Sequence, residues 1–529
     1  MLLLLLSLVV TANAAPQFFK NYHARGTVSL PYAEIKEPFE AWFSQSLNKS
    51  RIDVYGGMVK NVVDVAAGAT YKVAHMTNET ATNVLTCFET KFDAGDEVDI
   101  QGILPDTSLG FENAGSAMIN GQECDKWVLS DTPNGTHLTQ TYTLYTVNEQ
   151  PVQFIMEGYN IISGSHVDKY VIDYSTYTNG DNFTEEMFSE PYSKLDCGGF
   201  PGPGHAGLQS DIFADIIGGV HDHQGNFKEF KAKYEKMYND KEEHGDRFAA
   251  YRNNIRYIHS KNRQGLSYKL GENHMVDWFP HEHRRLRGKL YSGEPNNGRP
   301  FNKDEMKYRE LPTNFDLRVL GAIGPVKDQA ICGSCWSFAT TGSIEGAFFT
   351  LYGYRISLSE QNLMDCSWGY GNNACDGGEE WRAYEWMKKH GGIAYEEEYG
   401  PYLMADGLCH YNETKKRVQI SSYTNVTGEE PLKMALFNKG AVAVNIDASH
   451  KSLSFYESGV YFEPDCKNGP EDLDHAVLAV GWGTLGGNPY WIVKNSWSTH
   501  WGNVGYVLMS RKNNNCGVTT DATYVDVAL

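Results

Sequence analysis

Seven of the ten cysteines in this 529-residue chain lie between Leu311 and Leu529, and two of them, Cys332 and Cys335, stand three positions apart in QAICGSCWSFAT. Such a pair is a redox couple, half of a zinc site, or two thiols with separate tasks, and each option commits the surrounding chain to a different fold. Helical periodicity follows Cys335, with Ile344, Ala347, Phe348 and Leu351 on one face. Upstream, LGAIGPVKDQA carries Gly321, Gly324 and Pro325, poor sequence for the buried strand of a thioredoxin-type unit. No second Cys/His pair at ligand spacing stands out for zinc, so no metal is expected. What remains is one structural thiol and one nucleophile, because a thiolate at a helix N-terminus is stabilised by the dipole and the unpaired N–H groups. A nucleophile needs an imidazole as base and a third group to orient the ring. DLDHAVLAVGWGT offers His475, and YWIVKNSWSTHWG offers Asn495.

The length points to two or three domains. A formal net charge of −20 argues against nucleic acid as a partner, since phosphate backbones demand a basic surface. Residues 1–14, MLLLLLSLVVTANA, read as a signal peptide: a leucine-rich core, then a small-x-small cleavage site, although no Lys or Arg precedes it. That run is too short to cross a bilayer and no later stretch is long enough, so no membrane span is expected. Asn-x-Ser/Thr sites at Asn48, Asn78, Asn134, Asn182, Asn412 and Asn425 agree with a secretory route ending in the lysosome or outside the cell. Cysteines in that compartment mostly form disulfides.

CGGFPGPGHAG, beginning at Cys197, is the clearest break in the chain. Before it, HLTQTYTLYTV alternates Leu138, Tyr142 and Leu144 against threonines, and Val152, Phe154 and Met156 share a face beyond the NEQP turn. Residues 15–200 are therefore expected to form an antiparallel β domain, with 201–226 as a linker. From Phe227 the pattern turns helical: Glu243, Arg247, Tyr251, Asn254, Ile258 and Asn262 keep to one face, at its plainest a solvated helix with i,i+4 ion pairs such as Glu243–Arg247. GEPNNGRP, near residue 293, reads as an exposed loop open to proteolysis.

QAICGSCWSFA, DHAVLAVGWG and KNSWSTHWGNVGY together resemble the three signature blocks of the papain-like cysteine peptidases, and LSEQNLMDC and ACDGG extend the match over residues 311–529. The resemblance implies an α+β papain-like fold, with a helical left domain and a β-barrel-like right domain. It assigns Cys335 as nucleophile and His475 as base in a thiolate–imidazolium pair. Asn495 would orient the ring under Trp497, and the Gln329 amide would help form the oxyanion hole. No cofactor is implied. The expected disulfides are Cys332–Cys375, Cys366–Cys409 and Cys466–Cys516, which leaves Cys335 free. Gly377 and Gly378 would pair with a substrate strand. Glu380, after Glu379, and Asp521 would line the pocket for the residue two before the scissile bond, with solvent-facing glutamates as the plainer alternative. Two departures from the family pattern are Leu317, where tryptophan is usual, and Ser498, where glycine is common.

The six-residue stripe resembles the Glu-Arg-Phe-Asn-Ile-Asn pattern of cathepsin L-like propeptides, with Tyr251 for Phe. GENHMVD resembles the Gly-x-Asn-x-Phe-x-Asp motif that follows it, with Met275 for Phe. Residues 227–310 are thus expected to be an inhibitory prodomain and processing loop, the chain's own inhibitor. From Phe227 to Lys289 there are 15 Lys and Arg against 9 Asp and Glu, and from Leu311 to Leu529 there are 16 against 25. The opposed signs, +6 and −9, favour docking. The whole layout resembles the 26/29 kDa cathepsins of insects, in which the N-terminal region forms a second subunit. That implies a two-chain heterodimer after processing. In the N-terminal domain Cys87 is expected to pair with Cys124, leaving Cys197 odd. The leading expectation is a cysteine endopeptidase acting on proteins and peptides. The alternative is a binding protein whose N-terminal domain holds a lipid, glycan or protein, with an accessory or silent peptidase domain.

Overall fold

Period-two alternation between Asn21 and Asn179 resolves into eleven strands in the computed structural model: β1 (Asn21–Leu30), β2 (Ile35–Ser44), β3 (Lys49–Val54), β4 (Val59–Asp64), β5 (Ala69–Met76), β6 (Val84–Lys91), β7 (Glu112–Ile119), β8 (Gln122–Asp131), β9 (Leu138–Val147), β10 (Gln150–Asn160) and β11 (Ser165–Asn179). The structure describes residues 15–528 except 77–82, 93–98, 132–137, 161–164, 199–222, 309 and 416. The expected leader, Asn78, Asn134 and most of the expected linker lie outside the described residues.

The chain divides into two compact units, residues 1–239 with 252–265, and residues 240–251 with 266–529. In the first, the strands run in the order β6-β5-β4-β3-β2-β1-β11-β10-β9-β8-β7, two antiparallel meanders joined where β1 pairs with β11. One face of this sheet is the core: Val28, Ile52, Trp127, Leu144, Phe154, Met156 and Ile172 are buried together. The register sets Leu144 opposite Phe154 and Tyr142 opposite Met156, the pairing that the alternation requires.

Cys87 is bonded to Cys197, not to Cys124. The expected pairing fails on topology. Cys87 lies on β6, where the two-residue strand Cys197–Gly198 (β12) pairs beside it in parallel, whereas Cys124 lies on β8, with eight strands between them in the sheet. Cys124 remains a buried free thiol. Of the described sequons, Asn48, Asn182 and Asn412 are exposed. Asn425 is half-buried and its amide donates to Asn296 Oδ1 at 2.7 Å, so a glycan there would have to displace that contact.

The second unit is built on the helix Cys335–Tyr352, buried along most of its length, and a ten-stranded sheet. Strand His475–Leu485 is central, flanked antiparallel by Val442–Ile446 and Asn488–Lys494. Helices Glu360–Cys366 and Glu380–His390 pack with the long helix around Trp336, Leu363, Tyr384 and Met387. Disulfides Cys332–Cys375, Cys366–Cys409 and Cys466–Cys516 staple this unit, and Cys335 is free. Leu317 is buried, its N–H bonded to the Val480 carbonyl. Ser498 takes a φ of +68°, a left-handed conformation that explains why glycine is common at this position.

Residues 266–290 also belong to this unit. Strand Tyr268–Leu270 pairs antiparallel with Tyr456–Tyr461 across from Gly459, where a Cβ would sit 2.5 Å from the Ser267 carbonyl oxygen. Asn273 donates to the Ser454 carbonyl at 2.8 Å and accepts the Met275 N–H at 3.0 Å, which fixes the turn that buries Met275 and Val276. Arg247 grips Glu282 with two hydrogen bonds at 2.5 and 2.8 Å, while Glu243 stands 3.7 Å from the same guanidinium.

Candidate active site

The tight turn before Cys335 places that residue at the first position of its helix, fully buried, with its Sγ 3.5 Å from the Ala476 N–H. The neighbouring strand begins at His475, so the imidazole arises at the strand edge beside the helix end. His475 Nε2 lies 2.8 Å from Asn495 Oδ1, which leaves Nδ1 without a hydrogen-bond partner among the described residues. The Trp497 ring covers this contact, its centroid 4.7 Å from the imidazole. Ser496 completes the support: its hydroxyl donates to Gln329 Oε1 at 2.7 Å and turns the amide nitrogen of Gln329 toward the helix end.

The cleft over these residues is filled by residues 286–290. Gln329 Nε2 donates to the Leu286 carbonyl at 2.9 Å and to the Cys332 carbonyl at 2.7 Å. Gly288 crosses against Gly333 so closely that a Cβ on it would meet the Gly333 carbonyl oxygen at 1.8 Å. The Gly378 N–H donates to the Gly288 carbonyl at 2.8 Å, and the Leu290 N–H returns to the Gly378 carbonyl at 3.0 Å. Glycine is required at both Gly377 and Gly378 on this edge. Gly377 has a φ of +110°, and a Cβ on Gly378 would meet the Trp336 ring at 2.7 Å.

Charge complementarity is concentrated here. Arg287 pairs with Asp474 at 2.7 Å, and the buried Lys289 reaches Asp521 at 3.3 Å. Burial acts to strip the proton from Lys289, but Glu380, Asp521 and Glu379 outweigh it and hold the ammonium charged. Glu380 is itself buried, which pushes its carboxyl up to about 7 against the pull of Lys289. Glu379 is buried too, so neither glutamate faces solvent, but its carboxylate turns to Arg382 at 2.7 Å. Asp521 therefore pairs with the lysine directly, while Glu380 and Glu379 act on it as nearby negative charge.

Burial beneath this segment pushes the Cys335 thiol up to about 12 and pulls the His475 imidazole down to about 4. The covered pair is a neutral thiol and a neutral imidazole. The thiolate–imidazolium form expected from the sequence needs water or a polar substrate to solvate it, and the closed cleft supplies neither. Sequence reasoning did not single out Gly288, Lys289, Leu286 or Ser496. The available signal was a lone glycine inside the basic run HEHRRLRGKL, just ahead of the exposed residues 291–295.

The sequence profile described as papain family cysteine protease matches residues 311–526, and that of the cathepsin propeptide inhibitor domain (I29) matches residues 227–283. Digestive cysteine proteinase 2 of Homarus americanus is 41% identical over 308 residues, 56% of this chain and 94% of that protein. A cathepsin L-like peptidase of Aedes aegypti is 51% identical over 219 residues, covering 41% of this chain and 64% of its own length. Among solved structures, digestive procathepsin L 3 of Tenebrio molitor larval midgut superposes with a TM-score of 0.53 at 34% identity, over 58% of this chain and 99% of its own. The chain belongs to the papain family of cysteine proteases, as a cathepsin L-like peptidase made as a zymogen behind its own inhibitory propeptide.

Proposed function

We propose that the processed enzyme is an endopeptidase in which Cys335, His475, Asn495 and Gln329 carry the reaction. As Cys335 Sγ attacks the scissile carbonyl carbon, His475 takes the thiol proton. The oxyanion is held by Gln329 Nε2 and the Cys335 backbone N–H. His475 then gives its proton to the leaving amine as the C–N bond breaks, leaving a thioester on Cys335. A water deprotonated by His475 attacks the thioester, which releases the acid product and restores the thiol. Asn495 holds the ring in the tautomer that leaves Nδ1 for the sulfur, and Trp497 keeps water from that contact. The observation that carries this reading is the Leu286 carbonyl seated on the Gln329 amide, a backbone carbonyl at the donor an oxyanion would use.

Substrate would replace residues 286–290, pairing with Gly377 and Gly378. The side chain two before the scissile bond would enter the place Lys289 now fills, between Glu380 and Asp521. This favours Lys or Arg there, a charge-assisted contact worth about 1–3 kcal/mol when desolvated. Profiling a peptide library with wild type and Asp521→Ala tests it: the basic preference should weaken in the variant, and identical profiles would remove Asp521 from the pocket. No insertion rich in His lies between Cys366 and Cys375, in keeping with cutting inside chains. Four disulfides and the exposed sequons Asn48, Asn182 and Asn412 support passage through the secretory pathway to a lysosome or the exterior. Retention of the N-terminal domain as a second chain after processing belongs to the same proposal.

A further inference from the structure

The inhibitor helix Lys241–Arg263 carries a second stripe that the peptidase reading leaves unexplained. Arg252, Arg256 and Arg263, spaced 4 and 7, share a face about one residue's rotation away from the Glu243-to-Asn262 stripe. These arginines lie in residues 252–265, which group with the N-terminal β domain. Arg256 donates to both oxygens of Asp168 on β11 at 3.0 and 3.2 Å, and Arg252 stands 3.6 Å from the same carboxylate. The Tyr170 hydroxyl ties them together, donating to Asp168 at 2.8 Å and accepting from Arg256 at 3.2 Å. Arg263 Nε donates to Glu37 on β2 at 3.1 Å, and its Nη2 makes a further short contact with that carboxylate, which has no solvent exposure. Beside them Ser260 bonds the Tyr55 hydroxyl at 2.7 Å, and Gln264 reaches the same hydroxyl at 3.3 Å.

The two acids differ from the other carboxylates of the sheet. Asp64, Asp53 and Glu40 have cations within the domain's own strands, in Lys49, Arg51 and Arg25. Among the described residues, every ion pair of Glu37 and Asp168 is with an arginine of the helix. A carboxylate buried without a cation is strongly unfavourable, so these positions make sense only with a guanidinium-bearing segment in place. At Glu37 the pairing through both Nε and Nη2 of Arg263 is bidentate, which selects arginine over lysine there.

We propose that the N-terminal β domain is a receptor for the arginine face of the inhibitor helix, and that it keeps residues 252–265 as its ligand once the peptidase has been released. The proposal rests on the zymogen reading, but its test does not need peptidase activity. Full-length protein carrying Cys335→Ala, with cleavable sequences inserted in residues 201–226 and 293–298, is cut and chromatographed at mildly acidic pH. The fragment bearing the helix should elute with the N-terminal chain. In an Arg256→Ala/Arg263→Ala version it should elute away from it, and a synthetic peptide of residues 252–265 should then bind the vacated N-terminal chain. Both substitutions lie on the ligand, so the receptor's own fold is not at issue. A wild-type fragment that leaves the N-terminal chain, a doubly substituted fragment that stays with it, or a peptide that fails to bind would each overturn the proposal.

Discussion

His283 is the group through which acid should open the zymogen. Both of its ring nitrogens are buried without a hydrogen-bond partner among the described residues, the ring is packed between Trp278 and Phe455, and Lys451 and Arg287 add positive charge nearby, opposed by Glu282. Burial first, then Lys451, pulls its pKa from 6.5 to about 4 in the docked state. The docked segment thus binds the neutral ring. The contribution is fully present above the free value of 6.5 and is lost as pH falls from there toward 4. Between pH 7 and pH 5 the difference in proton binding amounts to about 20-fold, or about 2 kcal/mol, from this one side chain. Protonating His283 therefore opposes docking, because burial and the nearby Lys451 and Arg287 outweigh Glu282. His283→Gln removes the titration. The assay is cleavage of the Cys335→Ala zymogen by a trace of mature enzyme, normalised at each pH to a free peptide substrate. The variant's normalised rate should rise less steeply with acid than that of wild type, by up to the same factor. Equal steepness would refute the reasoning.

Gly288→Ala forces a Cβ to within 1.8 Å of the Gly333 carbonyl oxygen, an overpacking cost of about 1–3 kcal/mol, so the unprocessed chain should show peptidase activity at neutral pH that wild type lacks. Gln329→Ala should lower kcat by about 10²–10³ with little change in KM, and an unchanged kcat would exclude an oxyanion role. Cys197→Ser opens a disulfide that closes 110 residues and should cost the N-terminal domain about 2–5 kcal/mol in denaturant unfolding, whereas Cys124→Ser should cost far less.

The residues proposed to carry the reaction could be picked out of the chain because their chemistry is local. Cys335 announces a helix start, and His475 and Asn495 sit in blocks whose neighbours are as particular as they are. The β domain was legible through alternation at Leu144, Phe154 and Met156, which depends on only two residues at a time. What the sequence hid was pairing at a distance. Cys87 meets Cys197 because a two-residue strand adds to β6, and no periodicity can be read from two residues. Glu379 and Glu380 look alike in the chain, yet one turns to Arg382 while the other is buried with its carboxyl pushed up to about 7. Gly288 gave only a faint sign of its task, a lone glycine in a basic run, because a glycine before a loop is common. Only the approach of the Gly333 carbonyl shows that nothing larger fits.

The central claim is that one thiol, Cys335, is the nucleophile and that residues 286–290 cover it until processing. Treating zymogen and processed enzyme at neutral pH with a thiol-directed epoxide inhibitor, followed by peptide mass spectrometry, tests both halves at once. The account predicts a single adduct on Cys335 in the processed enzyme and almost none in the zymogen. An adduct on another residue, or equal labelling of Cys335 before and after processing, would contradict it.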